Sequence, residues 1–294
     1  MTLKGISERE VTRVGAASSG EAGGADWVAV EEPLEIRVAG DSVAITMRTP
    51  GDDARLAVGF LFSEGILRSI DDLGSVAHCG KPTEEGFGNV IEVTAAPGVT
   101  LDVEKVQASR RGTLTTSACG VCGRRSVDDL LALCGRVEND LRIDSEVLIA
   151  ATRHLKDLQK NFSHTGGTHA AAILSPRGEV LATFEDVGRH NAVDKVIGHL
   201  VMRGEISRRS FRPAAAESKM APPAILVVSG RASFEIVQKA TVAGIPVVAS
   251  VSAASSLAID LAKRSNITLA AFVRGGSLNL YTCPERIEGR KRTV

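Results

Sequence analysis

The chain has 294 residues, 44% of them hydrophobic and 24% charged, enough to bury one large core or two modest ones and too apolar for a disordered segment. Thirty-five basic residues against 35 acidic ones give a formal net charge of zero, which removes the global electrostatic pull of a nucleic-acid or anionic-membrane binder. Aromatic content of 3% leaves little material for base stacking.

No apolar run reaches the ~18 residues of a membrane span, and the stretch Met1 to Glu10 lacks the apolar core of a secretory signal, so a cytoplasmic protein is expected. Residues 1–25, rich in Gly, Ser, Ala and charge, read as a flexible tail. Leu34 to Val38 and Val43 to Met47 alternate apolar and polar residues around Ala39-Gly40-Asp41-Ser42, a hairpin pattern. A turn at Thr49-Pro50-Gly51 leads into helical spacing through Leu56, Phe60, Leu61 and Ile66, ending near Gly65. Val76 to Cys79 and Asn89 to Thr94 read as further strands, so residues 26–112 form a small α+β domain. Residues 113–143 hold a loop with two cysteines and a connecting helix over 126–133.

The region 144–285 changes character. Asp144-Ser145 caps a helix through Leu148, Leu155 and Leu158. A hairpin over 170–174 and 180–184 follows, then short apolar runs at 224–228, 246–249 and 269–273, which suit strands covered on both faces. Helical patterns over 187–202, 234–243 and 253–264 separate them, and a polar surface loop spans 207–223. Strands alternating with helices predict an α/β layer with a partly parallel sheet. Residues 286–294 read as a second tail, and no internal repeat is evident.

The five cysteines, Cys79, Cys119, Cys122, Cys134 and Cys283, are odd in number and scattered, unlike a secreted disulfide framework. Cys119-Gly120-Val121-Cys122 stands out. Arg124 and Arg125 follow it, and guanidinium charge favours a nucleophilic thiolate. Such a thiolate takes up sulfane sulfur, and the neighbouring thiol assists its release by exchange. A zinc knuckle and a redox pair begin with the same spacing. No second Cys-x-x-Cys exists, the remaining ligand candidates are His164, His169 and His190, and the His-x-Glu and Pro-Cys of zinc deaminases are missing.

Five further segments carry polar chemistry. Thr165-Gly166-Gly167-Thr168-His169 opens a strand, with a tight turn around a structural histidine as the bland alternative. Glu185 to Lys195 crowds ionisable groups at a strand end, where Arg189 and His190 open a helix suited to an anion and Asp186 or Glu185 can act as caps. Ser229, Arg231 and Ser233 follow one apolar strand, and Ser252 follows the next. Phe272-Val273-Arg274-Gly275-Gly276-Ser277 ends a third. Ligands of open α/β sheets bind beyond the carboxyl ends of strands, so these segments form one candidate pocket.

Several motifs in chain order resemble the FdhD/NarQ family of formate dehydrogenase accessory sulfurtransferases. They are Glu31-Glu32-Pro33-Leu34, Leu56-Ala57-x-Gly59-Phe60-Leu61-x-Ser63-Glu64-Gly65-Ile66, Ala118-Cys119-Gly120-Val121-Cys122-Gly123, Gly166-x-Thr168-His169-Ala170-Ala171-Ala172, Glu185-Asp186-Val187-Gly188-Arg189-His190, Ser229-Gly230-Arg231-Ala232-Ser233-x-Glu235 and Val251-Ser252-Ala253-Ala254. The resemblance implies a cytidine-deaminase-like three-layer domain without zinc chemistry, joined to the smaller N-terminal domain. It implies a homodimeric sulfur carrier that accepts sulfur from a cysteine desulfurase. The acceptor is a molybdenum cofactor, the molybdenum bis-molybdopterin guanine dinucleotide, bound as a transient ligand with no resident cofactor or metal, and the client is formate dehydrogenase. Cys119 corresponds to the persulfide cysteine and Cys122 to its partner. Phe272 to Ser277 correspond to the cofactor-binding stretch, a variable part of the family. Arg189, His190, Ser229, Arg231, Ser233 and Ser252 complete the expected cofactor site. The rival from another class is a zinc-stabilised, non-catalytic nucleotide- or cofactor-binding module.

Overall fold

The computed structural model describes residues 5–14, 22–80, 87–103, 134–208 and 221–289. Cys119, Cys122, Arg124, Arg125 and the helix expected over 126–133 lie outside the described residues, as does most of the 207–223 loop.

The chain starts on a two-stranded ribbon. β1 (Ile6–Arg13) pairs antiparallel with β2 (Ala22–Ala29), from Ile6 opposite Ala29 to Arg13 opposite Ala22. Within the tail expected over 1–25, the described residues 5–14 and 22–25 belong to this ribbon instead. Only Ile6 of β1 is buried, so the ribbon rests on backbone pairing and carries no apolar alternation to announce it.

β3 (Glu32–Val38) and β4 (Asp41–Arg48) form the expected hairpin, turned tightly at Ala39 and Gly40 with φ of 52° and 86°. Two successive positive φ values give the turn whose twist matches that of the strands. β5 (Leu73–His78) and β6 (Val90–Ala95) complete a sheet of order β4-β3-β6-β5, with β6 parallel to β3. Leu34, Ile36 and Val38 of β3 and Ile91 and Val93 of β6 all enter one core cluster together with Leu56, Leu61 and Phe62 of α1 (Asp53–Ser63).

The second sheet has order β13-β12-β11-β10-β8-β9. Its centre is the parallel set β10 (Ile225–Val228), β11 (Val247–Ser250) and β12 (Thr268–Arg274). The hairpin of β8 (His169–Leu174) and β9 (Val180–Asp186) joins antiparallel on one side, and β13 (Ser277–Leu280) on the other. Both faces are covered, as the continuous apolar runs require. Leu226, Val228, Val248 and Leu269 face the cluster shared with α4 (Arg189–Met202), α5 (Phe234–Val242) and α6 (Ser256–Arg264). The alternate residues Ile225, Val227, Val247 and Ala270 face α2 (Ser145–Leu158), which contributes Leu148, Ile149 and Leu155. Asp144 caps α2 through its side chain, which accepts from the Glu146 N–H. A short helix, α3 (Lys160–Thr165), follows, and β2 leans on it. The architecture is a mixed α+β fold with helices on both faces of its larger sheet.

The C-terminal segment also differs from expectation. Of the tail predicted over 286–294, Arg286 is buried and donates to the Thr268 hydroxyl at 2.9 Å. β14 (Ile287–Glu288) pairs parallel with β7 (Ile143–Asp144). Two-residue strands carry too little periodicity to be read from sequence.

The two sheets are tied together where α1 crosses α4. A methyl group on Gly59 would lie 1.8 Å from the Asp194 carbonyl oxygen, and one on Gly198 1.9 Å from that of Arg55. Both contacts are with backbone, so only glycine admits this approach. Beside the crossing, Lys239 of α5 holds both carboxylate oxygens of Asp194 at 2.7 and 2.8 Å, and the Ser63 hydroxyl donates to Asp194 at 3.0 Å. Burial pushes the Asp194 carboxyl above the usual carboxylate range, outweighing the opposing pull of Lys239 and Ser63.

Two outcomes follow from this packing. Gly59→Ala forces the crossing helices apart and lowers the unfolding free energy by about 1–3 kcal/mol, whereas Gly23→Ala, with nothing within 4 Å, shifts it by less than about 0.5 kcal/mol; denaturant midpoints measure both. Lys239→Met strands the Asp194 carboxylate and costs about 3–5 kcal/mol. Because burial raises the Asp194 pKa, the stability tied to its neutral form is present at low pH and lost as pH rises. The Lys239→Met penalty is therefore larger in unfolding titrations at pH 8 than at pH 5, and an equal or reversed dependence would contradict this placement.

Candidate functional site

The antiparallel β8–β9 hairpin brings the start of β8 to the same end of the sheet as the carboxyl ends of β9, β10 and β11. His169 lies opposite Asp186, and Val228 opposite Ala171. The polar segments singled out from sequence therefore converge on one rim.

Asp186, fully buried at the end of β9, fixes the loop into α4. Its carboxylate pairs with the Lys195 ammonium at 2.7 Å and accepts from the Gly188 N–H at 2.8 Å, the Asn191 amide at 3.0 Å and the Thr49 N–H at 3.1 Å. Lys195 in turn donates to the carbonyls of Thr49 and Glu185. A buried ion pair is sustainable only with its remaining valences filled, and these are. Glu185 acts elsewhere: it accepts from the Asn161 and Phe162 N–H groups at the start of α3 and from the Thr168 hydroxyl.

His190, in the first turn of α4, reaches Glu235 of α5 at 2.6 Å through Nε2, with the Ser233 hydroxyl at 3.3 Å. Burial raises the Glu235 carboxyl, but the hydrogen bond and charge of His190, with Lys239 and Arg189, outweigh it and leave Glu235 below the usual carboxylate range. Ser233 occupies the N-cap position of α5 without a capping bond, while Ser255 caps α6 by accepting from the Ala258 N–H. Arg189 lies next to the His169 ring: a Cβ built on Gly230 would be 3.3 Å from His169 Nδ1 and 3.6 Å from Arg189 Cβ. Arg189 Nε is buried with no hydrogen-bond partner among the described residues. Burial, then the charges of Arg189 and His190, push the His169 imidazole below its ordinary value, with Asp186 opposing.

The two serine loops are bonded to each other and to β8. Ser229 accepts from the Ala170 N–H at 2.9 Å, and Ser250 donates to the Gly230 carbonyl at 2.7 Å and accepts from the Ser252 N–H at 3.1 Å. The Ser252 carbonyl accepts from the Phe272 N–H at 3.0 Å. Phe272 holds φ at 53°, a conformation costly for an aromatic residue that this bond and the adjoining bulge in the β12–β13 ladder over-determine. Arg274 stacks over the Phe272 ring, 5.4 Å from its centroid, and Gly275 and Gly276 turn the chain into Ser277.

The expected site residues thus fall into three groups. Arg189, His190, Ser229, Ser233, Ser252 and Phe272 come together at the rim, while Arg231, Arg274, Gly275, Gly276 and Ser277 lie exposed at its margin. The Val273 side chain is buried in the α2-facing core, which leaves only its backbone for a ligand. Pattern reading missed Glu235 as the partner of His190 and Thr49 as the anchor of the Asp186 loop. Both pairings join residues more than 40 positions apart, for which helix or strand periodicity carries no signal. Among the described residues, no group of three or more His, Cys, Asp or Glu is placed to hold a metal.

The comparisons with known proteins agree with one another. The model of the FdhD/NarQ family matches residues 29–288. A relative named sulfur carrier protein FdhD, from Anaeromyxobacter dehalogenans (strain 2CP-1), is 49% identical over 96% of this chain and 93% of its own. A protein of the same name from Mycobacterium tuberculosis (strain H37Rv) is 46% identical, covering 89% of this chain and 92% of its own. Among solved structures, a Desulfotalea psychrophila protein described as a candidate formate dehydrogenase accessory protein superposes with a TM-score of 0.70 at 23% identity, over 97% of this chain and all of that one. At that identity the superposition speaks for the fold, and the family model with the close relatives speaks for descent: the chain belongs to the FdhD/NarQ family.

Proposed function

We propose that this chain is a sulfur carrier acting for formate dehydrogenase, and that it works as a sulfurtransferase through a cysteine persulfide. The observation that carries the reading is family membership over residues 29–288, alongside close relatives named for sulfur carriage. The Cys119 thiolate attacks the terminal sulfur of a desulfurase persulfide. A new S–S bond forms at Cys119, the donor's S–S bond breaks, and the donor cysteine leaves as a thiolate. Cys122 assists the onward release, and Arg124 and Arg125 favour the thiolate.

The acceptor in this reading is the molybdenum bis-molybdopterin guanine dinucleotide, held as a substrate at the sheet rim. Arg189, His190, Ser229, Arg231, Ser233, Ser252 and the backbone of 272–277 take its guanine and phosphate groups. Support comes from the chemistry of that rim: a cation with an unfilled donor, hydroxyls at two adjacent strand ends, and glycines that leave the backbone open. The helices on both faces of the sheet are compatible with a cytidine-deaminase-like origin, and a cytoplasmic homodimer completes the proposal.

The test is direct. After incubation with cysteine desulfurase and cysteine, intact-mass and peptide analysis of the full chain gains about 32 Da on Cys119, the mass of one sulfur atom. Cys119→Ala loses both the increment and the maturation of formate dehydrogenase. A Cys119→Ala protein that still carries the sulfur and activates formate dehydrogenase would falsify the mechanism. Stoichiometric zinc that disappears in Cys122→Ser would replace the carrier with a zinc-stabilised binding module.

A further inference from the structure

The Gly166–His169 turn stood out in the sequence, yet neither the core nor the proposed sulfur relay uses its histidine. Its surroundings are unbalanced in charge. The two carboxylates nearest in the fold are already committed: Asp186 to Lys195, Asn191 and two backbone N–H groups, and Glu185 to the start of α3 and Thr168. Glu235 is bonded to His190. Ser229, on the β10 side, contributes only a hydroxyl, and that accepts from the Ala170 N–H. No described carboxylate lies within salt-bridge distance of Arg189, whose buried Nε has no described partner and whose Cβ, like His169 Nδ1, lies within 3.6 Å of where a Gly230 side chain would begin. A cation beside a half-buried imidazole, with the nearby described carboxylates engaged elsewhere, is a place for an anion that the described residues do not supply.

We propose that His169 is the proton-taking member of an anion cradle formed with Arg189 at Gly230. A phosphoryl group that docks beside Arg189 draws one proton from solvent onto the His169 imidazole, which then donates a hydrogen bond to it. The inference rests on the reading of the rim as a nucleotide-bearing cofactor site and adds to it a proton linkage at a residue outside the expected contact set.

The direction follows from the groups that face His169. Without ligand, burial and the charges of Arg189 and His190 disfavour the imidazolium, against Asp186, which itself is paired with Lys195. A docked dianion reverses the local sign and favours the charged ring. Between the free and the bound pKa, binding therefore absorbs a proton, and affinity falls as pH rises through that window. Gly230 is integral to the cradle, because a side chain there would enter the gap between the ring and Arg189.

The experiment uses the full chain labelled with ¹⁵N-histidine, with guanosine 5′-diphosphate, inorganic pyrophosphate and guanosine as probes. At pH 7.5 a phosphate group with a second pKa of about 6 is already ionised, so the proton drawn from solvent is taken up by the protein. Saturating guanosine diphosphate is expected to move the His169 ring nitrogens from the neutral to the imidazolium pattern. Pyrophosphate does the same at higher concentration, and guanosine does not. Calorimetry in buffers of different ionisation enthalpy reads up to about one proton absorbed, and affinity weakens by up to about tenfold per pH unit within the window. His169→Asn abolishes both the uptake and the pH dependence. If guanosine diphosphate binds while His169 stays neutral and uptake is unchanged in His169→Asn, the inference is overturned and the cofactor reading stands. If neither guanosine diphosphate nor pyrophosphate binds, the cofactor reading falls and takes this inference with it.

Discussion

The crossing of α1 and α4 is the constraint on which the rest of the molecule depends. Gly59 and Gly198 bring two backbones into direct contact, and that closeness merges the cores of the two sheets into one apolar cluster running from Leu34 through Val193 to Val237. It also fixes where α4 begins. Arg189 and His190 stand at the head of that helix, so the same approach that joins the sheets sets the depth at which their side chains reach the rim. The Asp194–Lys239 pair beside the crossing brings in α5, whose first turn carries Glu235. One close contact thereby positions groups contributed by three helices.

Buried ion pairs of this kind are weak sources of stability and good sources of definition. Asp186 illustrates the point. Its carboxylate has an ammonium, an amide and two backbone N–H groups around it, drawn from α4, from the loop that precedes it and from Thr49 after β4. The Asn191 side chain extends the same joint, donating to the Met47 carbonyl and accepting from the Thr46 hydroxyl. The loop 186–190 is thus clamped to β4 of the first sheet although it belongs to the second. A residue that looks like a helix cap in the sequence is in fact the pin between two sheets.

What was legible in the sequence follows from where periodic burial exists. β10, β11 and β12 are covered on both faces, and their continuous Val, Ile, Leu and Ala runs announced them; β3 is covered on one face, and its alternation announced that. β1 escaped because a single buried side chain makes no pattern, and β14 because two residues make none. The rim was legible as a set of segments, since hydroxyl, glycine and charged residues at strand ends are local features. Their pairings were not. Nothing at His190 encodes Glu235, and nothing at Asp186 encodes Thr49, because the fold alone sets which distant residues meet.

Filled and unfilled valences contrast within that rim. Asp186, Lys195, Glu185, Asp194 and Lys239 are polar, buried or nearly so, and satisfied by the chain. They hold shape. Arg189 is different: it is half-buried, and its buried Nε has no described partner. Among the described residues, the buried ions are paired within the fold, whereas Arg189 keeps an open donor beside His169, whose imidazole burial pushes below its ordinary value. The strained backbone at Phe272, held by the Ser252 carbonyl, is joined by hydrogen bonds through Ser252 and Ser250 to the Gly230 carbonyl, so the two serine loops and the end of β12 form one bonded edge of the rim.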